Sequence, residues 1–326
     1  MEYKKPQATI IQGNVGIYPL TTADQVILAD GTRLEKDGKI NVDVANSADS
    51  AKLGGKAPEY YLQPRNLLDN SDFRNPVNQR GETNYTGGGY TIDRWVLGID
   101  AVVVNVLDDG IEVTGGDSTY NAPYIQKVPE NLTGKTVTFA VCDSDGVITT
   151  VTGAVQTDSA CITNAAWGNI EFYHSSSDGT LWVQININYG GSKIFRWAAL
   201  YEGAYTADTL PPYVPKGYAA ELAECLRYFE LLNNGSSQFV RAYNSSHIAF
   251  MINYAEKRIG PTISVTGSLT NALSVAGVGT STPTSIGSAY PVGRKSARIN
   301  AEGTFDTSYT YSIIYNVANI AISADL

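Results

Sequence analysis

The residues best suited to bind a ligand lie at alternate positions of one predicted strand. In residues 181–188, apolar side chains alternate with Trp182, Gln184 and Asn186. Because successive side chains of a strand point to opposite faces, the tryptophan and the two amides project from the same face. An aromatic ring stacks on the C–H surface of a sugar, and amides bind its hydroxyl groups. The pattern favours a glycan-binding face, although a covering loop or a subunit interface would also account for it.

Three further aromatic residues are candidates for ligand contact. Trp167 follows Asn164-Ala-Ala in a predicted loop, where burial and exposure are both compatible with the sequence. Tyr243 and Tyr290 lie in segments rich in Gly, Ser and Asn. Such segments form turns and loops, which makes these two tyrosines candidates for a distal contact surface.

Two other tryptophans are predicted to be buried. Trp95 ends the segment Asp93-Arg-Trp, in which we expect Arg94 to pair locally. Strand alternation places Trp197 on the same face as Phe195 and Tyr201, which is the pattern of a core-facing strand.

The sequence lacks the residue patterns of the common enzyme classes. Its two histidines, His174 and His247, fall in separate predicted domains, and no Gly-x-Ser-x-Gly motif accompanies them. The acid pairs at 108–109 and at Asp143 and Asp145 lie in turn-like sequence, where aspartate stabilises the turn itself. No phosphate-binding loop, dinucleotide fingerprint or His-Glu-x-x-His motif occurs. We therefore expect no catalytic activity.

Composition and charge restrict the partners. Hydrophobic residues make up 43% and charged residues 17% of the 326 residues, and Tyr, Gly, Val and Thr are abundant, which favours strands and turns. The net charge of −9 disfavours nucleic acid and anionic membrane surfaces. We expect no membrane insertion, because no apolar run reaches the roughly 20 residues that span a bilayer. We also expect no secretion signal.

The three cysteines do not have the spacing of a disulfide framework or of a zinc site. Cys142, Cys161 and Cys225 are widely separated and lack Cys-x-x-Cys spacing. Cys142 follows a strand-like run, and Cys225 lies on the apolar face of a predicted helix. We expect both to be buried as small hydrophobic residues.

The chain is predicted to be all-β and to have three parts. Residues 1–65 are polar and small, which is typical of an extended attachment or linker segment. Residues 66–215 contain short β-branched runs separated by Asp-Gly turns, which predicts a jelly-roll β-sandwich. Residues 216–326 are predicted to form a C-terminal β-sandwich head, led by an amphipathic helix over 218–232 in which apolar residues recur at spacings of 4, 3, 4 and 3.

The head contains a long uncharged stretch. Between Arg258 and Arg294 no residue carries a charge. Exposed strands normally carry charged residues, which prevent edge-to-edge pairing. We infer that other subunits cover much of this surface. In the preceding strand, alternation places Ile248, Phe250 and Ile252 on the face opposite His247.

A series of motifs in a fixed order carries a resemblance. They are the segment at 46–62, Asn66-Leu-Leu-Asp-Asn-Ser-Asp-Phe, Gly89-Tyr-Thr-Ile-Asp-Arg-Trp, Cys225-Leu-Arg-Tyr-Phe and Arg258-Ile-Gly-Pro-Thr-Ile-Ser-Val-Thr. The second resembles the first strand of jelly-roll carbohydrate-binding modules. The series as a whole resembles tail fibres or receptor-binding proteins of bacteriophages, prophages and tailocins that contain such a module.

The resemblance implies a homotrimer in the virion tail that attaches the particle to the bacterial surface, through cell-envelope glycan. Residues 1–65 would then join other tail or baseplate proteins. The alternative is a purely structural fibre or baseplate subunit with the sandwich as a spacer. A third hypothesis, a capsule depolymerase, requires an acid pair that the sequence does not supply.

The resemblance also bears on metal binding. Some carbohydrate-binding modules hold a structural calcium with a glutamate where this sequence has Arg74. Asp69 and Asp72 remain as candidate oxygen ligands. No other cofactor is expected.

Overall fold

The chain divides into two compact units, Met1–Gln63 and Pro64–Leu326. The computed structural model describes residues 26–27, 33–34, 40–41, 64–98, 103–115, 122–156, 162–164, 168–175, 179–188, 190–232, 239–267, 273–275, 279–287, 292–313 and 318–325. In the first unit, three short antiparallel strands pair in the order β1-β2-β3, namely β1 (Val26–Ile27), β2 (Arg33–Leu34) and β3 (Ile40–Asn41). The predicted boundary at residue 215 stays a prediction.

Two six-stranded antiparallel sheets form the sandwich in the first part of the larger unit. Their strands are β4 (Asn84–Thr86), β5 (Gly89–Tyr90), β6 (Trp95–Leu97), β7 (Val103–Leu107), β8 (Gly110–Thr114), β9 (Ala122–Val128), β10 (Thr136–Asp143), β11 (Ile148–Ala154), β12 (Ile162–Asn164), β13 (Gly168–His174), β14 (Leu181–Ile187) and β15 (Ser192–Glu202). The first sheet has the order β11-β10-β15-β8-β7-β4, and the second has the order β12-β13-β14-β9-β6-β5. The prediction of an all-β chain with sandwich-like layers is confirmed.

The core between these two sheets is centred on aromatic rings. Trp95, which is 0% exposed, stacks on Tyr124 with ring centroids 5.0 Å apart and meets the edge of Phe73 at 5.1 Å. The Trp95 indole N–H donates to the carbonyl oxygen of Asn70 at 2.9 Å, so its one polar atom is satisfied. The predicted burial of Trp95 is confirmed. Burying each such side chain stabilises the fold by roughly 1.5–3 kcal/mol.

The prediction that Trp197 and Phe195 share a face is wrong, because β15 contains an irregularity at Arg196. Asp143 pairs with Phe195 while Cys142 pairs with Trp197, so one extra residue is inserted in β15. Phe195 therefore packs into the core between the sheets. Trp197 points to the other side, where it joins Tyr201 in a separate buried cluster.

The following loop covers that outer cluster. The ring of Tyr213 stacks on Trp197 at 4.6 Å, with the two planes 2° apart. Leu210 belongs to the same cluster, and its backbone N–H bonds to Thr206 at 2.8 Å. Residues 203–216 thus provide a second apolar layer outside the first sheet, and burial of Trp197 is confirmed although its predicted face is not.

The C-terminal part contains one helix within the described residues and two more sheets. The elements are α1 (Tyr218–Cys225), β16 (Phe229–Leu232), β17 (Phe239–Asn244), β18 (His247–Asn253), β19 (Thr262–Gly267), β20 (Leu273–Val275), β21 (Gly279–Ser281), β22 (Ser285–Gly287), β23 (Ser296–Glu302), β24 (Thr310–Ile313) and β25 (Ala318–Ser323). The sheet orders are β16-β25-β19 and β21-β20-β24-β17-β18-β23-β22. Ile248, Phe250 and Ile252 lie together in the core of this part, as their alternation predicts.

The helix predicted for 218–232 ends at Cys225, so the prediction is wrong for the second half of this segment. Residues Phe229–Leu232 form a strand instead and pair with β25, from Phe229 opposite Ser323 to Leu232 opposite Ile320. The 4-3-4-3 spacing favours a helix over the whole segment, and the long-range pairing with β25 overrides it in the last four residues. No local signal in the sequence records that pairing.

A buried lysine donates a hydrogen bond to a backbone carbonyl group just after the end of the helix. The Lys257 ammonium group, 0% exposed, donates to the carbonyl oxygen of Leu226 at 2.6 Å and to a carboxylate oxygen of Glu230 at 2.8 Å. The backbone N–H of Arg258 donates to the carbonyl oxygen of Arg227 at 2.8 Å. Carbonyl groups after the last helical turn therefore have partners from a segment that follows β18.

Buried polar residues connect the sandwich to the C-terminal part. We call Asp69, Asn70, Asp93, Arg94 and Glu221 the polar junction, and each is at most 6% exposed. The Asn70 backbone N–H donates to Glu221 at 2.7 Å, and the Asn70 side-chain amide donates to the carbonyl oxygens of Val77 and Asp93, each at 2.8 Å. Asn70 holds a positive φ of 50°, which asparagine tolerates better than most residues.

A bridge of alternating charges completes the connection. Arg80 contacts a carboxylate oxygen of Asp93 at 3.2 Å and one of Asp325 at 3.3 Å. The Arg80 guanidinium group also lies 3.8 Å from the ring centroid of Phe229. Arg94, which follows Asp93 in the sequence, places its guanidinium group 3.5 Å from the ring centroid of Tyr228. Each of the two arginines therefore contacts at least one residue from the opposite part of the unit.

Within the described ranges, no helix has the length and apolar character needed to cross a bilayer.

We expect Lys257→Met to lower the free energy of unfolding by about 3–5 kcal/mol, because it leaves Glu230 without its buried cation. Denaturant titration measures this change. Lys135→Met is the matched control, since Lys135 and Glu202 form an ion pair whose side chains are 48% and 54% exposed. The control should change the free energy by no more than about 1 kcal/mol. Equal effects in the two variants would contradict the structural role of Lys257.

We expect the protein to become more stable as pH falls from 7 towards 5. Burial raises the pKa of Asp93 from its ordinary value of 3.8 to about 6, against the opposing effects of Gln79 and Arg80. Burial also raises the pKa of Asp325 and of Glu221. A carboxyl group with a raised folded-state pKa stabilises the fold below its unfolded pKa, and this contribution is lost as pH rises through the folded value.

The contribution of Asp93 is about 3 kcal/mol. Asp93→Asn should therefore flatten the pH dependence of the unfolding free energy between pH 4 and 7 by that order. Denaturant titrations at several pH values measure the slope. An unchanged slope in the variant would show that Asp93 does not titrate in this range.

Candidate functional site

The outer face of the second sheet carries the candidate residues of β14. In the register of this sheet, Trp182 lies between Tyr173 of β13 and Lys127 of β9. In the next row, Gln184 lies between Glu171 and Ile125. Because residues directly opposite one another share a face, these side chains form two adjacent rows.

Asn186 extends this face by a third row. It pairs with Pro123 of β9 in the register and donates to a carboxylate oxygen of Glu171 at 2.9 Å. We call Lys127, Glu171, Tyr173, Trp182, Gln184 and Asn186 together the Trp182 face. The intervening residues of β14, Val183 and Ile185, lie in the core, so the predicted alternation of this strand is confirmed.

Trp182 is partly buried, and neighbouring side chains fix its orientation. Its indole N–H donates to the Thr180 hydroxyl at 2.9 Å, and its ring centroid lies 5.6 Å from that of Tyr173, with the planes at 42°. The Lys127 ammonium group lies 4.7 Å from the ring centroid. This distance is within the range of a cation–π interaction. Tyr173 and Trp182 thus form a pair of tilted aromatic rings, and the Lys127 ammonium group lies beside the Trp182 ring.

The two amides lie deeper than the sequence predicts. Gln184 is 8% exposed and Asn186 is 4% exposed, so both belong to the buried class. A strand that alternates polar and apolar residues normally exposes the polar ones. Here both amides are covered, and the Asn186 side chain contacts Glu171. The expectation of a fully outward polar face is corrected accordingly.

Three residues of this face were not anticipated from the sequence. The position of Tyr173 could have been predicted, because the Ser177-Asp-Gly turn indicates a hairpin. This hairpin places Tyr173 opposite Trp182. The same hairpin places Glu171 opposite Gln184, whereas Lys127 carried no such signal. The pairing of β9 with β14 joins residues about 55 positions apart, and nothing local specifies that register.

The side chains of the remaining aromatic candidates lie outside the described part of the structure. Trp167 and Tyr290 lie outside the described residues. Tyr243 belongs to β17 by its backbone, but its side chain is outside the described part of the structure. Cys161 is likewise outside the described residues, while Cys142 and Cys225 are buried thiols, as predicted.

The acidic turn residues serve the turns themselves. A carboxylate oxygen of Asp143 accepts the backbone N–H groups of Asp145 and Val147 at 3.0 and 2.9 Å, and the other contacts Lys193 at 2.7 Å. Burial alone would raise the pKa of Asp143, but these hydrogen bonds outweigh it and lower the pKa. Asp109 contacts Arg196 at 2.8 Å. These contacts agree with the interpretation of both acid pairs as structural.

The two histidines lie in different surroundings. His174 pairs with Leu181 in the register, at the end of β13. The Nδ1 atom of His247 lies 2.8 Å from the Ser246 hydroxyl and 3.2 Å from the side-chain oxygen of Asn244, within one turn. Neither arrangement combines a histidine with a nucleophile and a buried acid.

The candidate calcium ligands are paired with cations in this structure. Asp69 contacts Arg94 at 3.3 Å and Lys216 at 3.4 Å, and Asp72 accepts a hydrogen bond from Arg74 at 2.7 Å. A calcium ion at either carboxylate would have to displace these groups. Among the described residues, no three His, Cys, Asp or Glu side chains converge as a metal site.

Comparisons with protein-family models, with curated proteins and with solved structures gave no match for this chain.

Proposed function

We propose that this chain is a receptor-binding component of a phage tail fibre or related particle that attaches to bacterial cell-envelope glycan through the Trp182 face. The observation that carries this proposal is the pair of aromatic rings, Tyr173 and Trp182, held 5.6 Å apart on the outer face of a rigid sheet. Aromatic rings in a fixed orientation offer a surface for the C–H face of a sugar. Lys127, Glu171 and the amides supply donors and acceptors for hydroxyl groups.

The rest of the proposal concerns assembly. The chain forms a homotrimer in the virion tail, and residues 1–65 join it to other tail or baseplate proteins. The motif order along residues 46–270 and the uncharged stretch between Arg258 and Arg294 support this part. A trimer multiplies weak single-site contacts, so a millimolar affinity for one sugar becomes a firm attachment to a surface.

A second candidate function is a structural fibre or baseplate subunit in which the sandwich is a spacer. One observation favours it, since Gln184 and Asn186 are only 8% and 4% exposed. A sugar would reach them only through a small displacement of the neighbouring side chains. Binding and spacing differ in what happens when the aromatic ring is removed.

We expect Trp182→Ala to reduce binding to host cells or to their purified envelope glycan by about tenfold or more, because the stacking surface is lost. Tyr218→Ala is the matched control, since Tyr218 is 47% exposed and lies on α1, outside the Trp182 face. Adsorption assays and a glycan array provide the readouts. Both variants should remain folded, with the trimer intact by light scattering.

Equal binding by the two variants would contradict the role of Trp182. Absence of binding by the unmodified protein to every host envelope tested would instead favour the spacer. Release of reducing ends from capsule would contradict the expected lack of catalytic activity.

A further inference from the structure

A cleft lies between the sandwich and the end of α1, apart from the residues of the Trp182 face. Its volume is about 260 Å³, and it is lined by Arg65, Asp69, Pro129, Glu130, Glu224, Arg227, Tyr228 and Arg258. Pro129 and Glu130 follow β9, while Glu224, Arg227 and Tyr228 lie at the end of the helix and in the turn after it. Three guanidinium groups thus surround a single cleft in a chain whose net charge is −9.

Two polar atoms of this lining are shielded from solvent and have no hydrogen-bond partner within the described residues. They are Nε of Arg258 and one carboxylate oxygen of Glu130. The other carboxylate oxygen of Glu130 lies 3.9 Å from Arg65, which is too long for a hydrogen bond. Leaving a charged donor and a charged acceptor unsatisfied is costly. The Glu130 side chain is 35% exposed and Arg258 is partly buried, so a ligand in the cleft contacts these two groups through their accessible atoms or after the side chains rotate.

The other charged groups of the lining are already paired. Glu224 contacts Arg227 at 3.0 Å, and Asp69 contacts Arg94 and Lys216. The groups left for a ligand are therefore Arg258 and the long, partly exposed ion pair of Arg65 and Glu130. A ligand that fits needs an anionic group for the guanidinium ions and a hydroxyl donor for the carboxylate.

The position of Arg258 is fixed by the fold. Its backbone N–H is bonded to Arg227 at 2.8 Å, and its guanidinium group lies 6.0 Å from the ring centroid of Tyr228. Tyr228 is 2% exposed and has Arg94 3.5 Å from its ring centroid. The cleft is thus backed by the polar junction, whose packing holds the lining in place.

We propose that this cleft binds a carboxylate-bearing sugar residue, a hexuronic or ulosonic acid. Arg258 and Arg65 contact the sugar carboxylate, and Glu130 accepts a hydrogen bond from a sugar hydroxyl. Inorganic phosphate fits less well, because its dianionic form would place a second negative charge near Glu130, whereas a sugar acid carries one charge. A neutral sugar would give the guanidinium groups no anionic partner. The choice of a sugar rests on the proposed function, whereas the location of the cleft does not.

Ligand-detected NMR titration of the full chain tests this with sodium glucuronate, sodium N-acetylneuraminate, methyl glucoside, acetate and phosphate as probes. At least one of the two acidic sugars should bind with a millimolar dissociation constant and more tightly than the other three probes. The two acidic sugars distinguish a hexuronic from an ulosonic ligand. Absence of binding by both at about 20 mM, or equal binding of phosphate, would overturn the proposal.

Variants separate this cleft from the Trp182 face. Arg258→Gln should weaken binding of the acidic sugar by about tenfold or more. Glu130→Gln keeps the size of the side chain and should weaken it less, because an amide oxygen still accepts a hydroxyl. Arg298→Gln, at an exposed arginine of β23, is the matched control and should leave binding unchanged. Thermal unfolding confirms that each variant is folded.

Trp182→Ala is measured in the cell-attachment assay, where it reports on the proposed function. If Arg258→Gln binds as the unmodified protein does, the cleft is not the site and the inference fails. If acidic sugars do not bind while Trp182→Ala still abolishes cell attachment, the inference fails and the proposed function stands. If acidic sugars bind at Arg258 but the chain attaches to no host cell, the cleft is confirmed and the proposed function fails.

Discussion

Buried polar and charged groups, each with a partner, connect the sandwich to the C-terminal strands. Arg80 lies between Asp93 and Asp325, and Arg94 lies between Asp69 and the ring of Tyr228. Disturbing the contact between the two parts would leave some of these groups buried without their partners, and an unpaired buried charge is costly. The two parts therefore depend on each other.

The two candidate sites differ in how they relate to this arrangement. The Trp182 face is built by strand pairing alone, so its rows are as rigid as the sheet that carries them. The cleft beside Arg258 exists only because α1 stops at Cys225 and the polar junction holds its end against β9. One site is thus a property of a single sheet, and the other is a property of the contact between two parts. An attachment protein with both would contact a neutral portion and an acidic portion of the same polymer.

The uncharged surface and the weak sites fit one physical picture. Under the two proposals, the pair of aromatic rings and the cleft of about 260 Å³ would each contact one or two sugar residues. Single contacts of this size give low affinity, and several copies on one particle raise the overall strength of attachment. Subunit association would also cover strand surfaces that lack charged residues.

The sequence by itself determined those features that depend on local periodicity. Strand alternation located the core faces of β14 and β18, and the Asp-Gly segments located turns, because side-chain direction and turn geometry are set within a few residues. Tertiary structure alone decided the end of the helix, the reversal of Trp197 at the irregularity beside Arg196, the burial of Gln184 and Asn186, and the cleft. Each of these depends on which distant segments pair, and in what register. Pairing energies between distant segments leave no local pattern that a single sequence reveals.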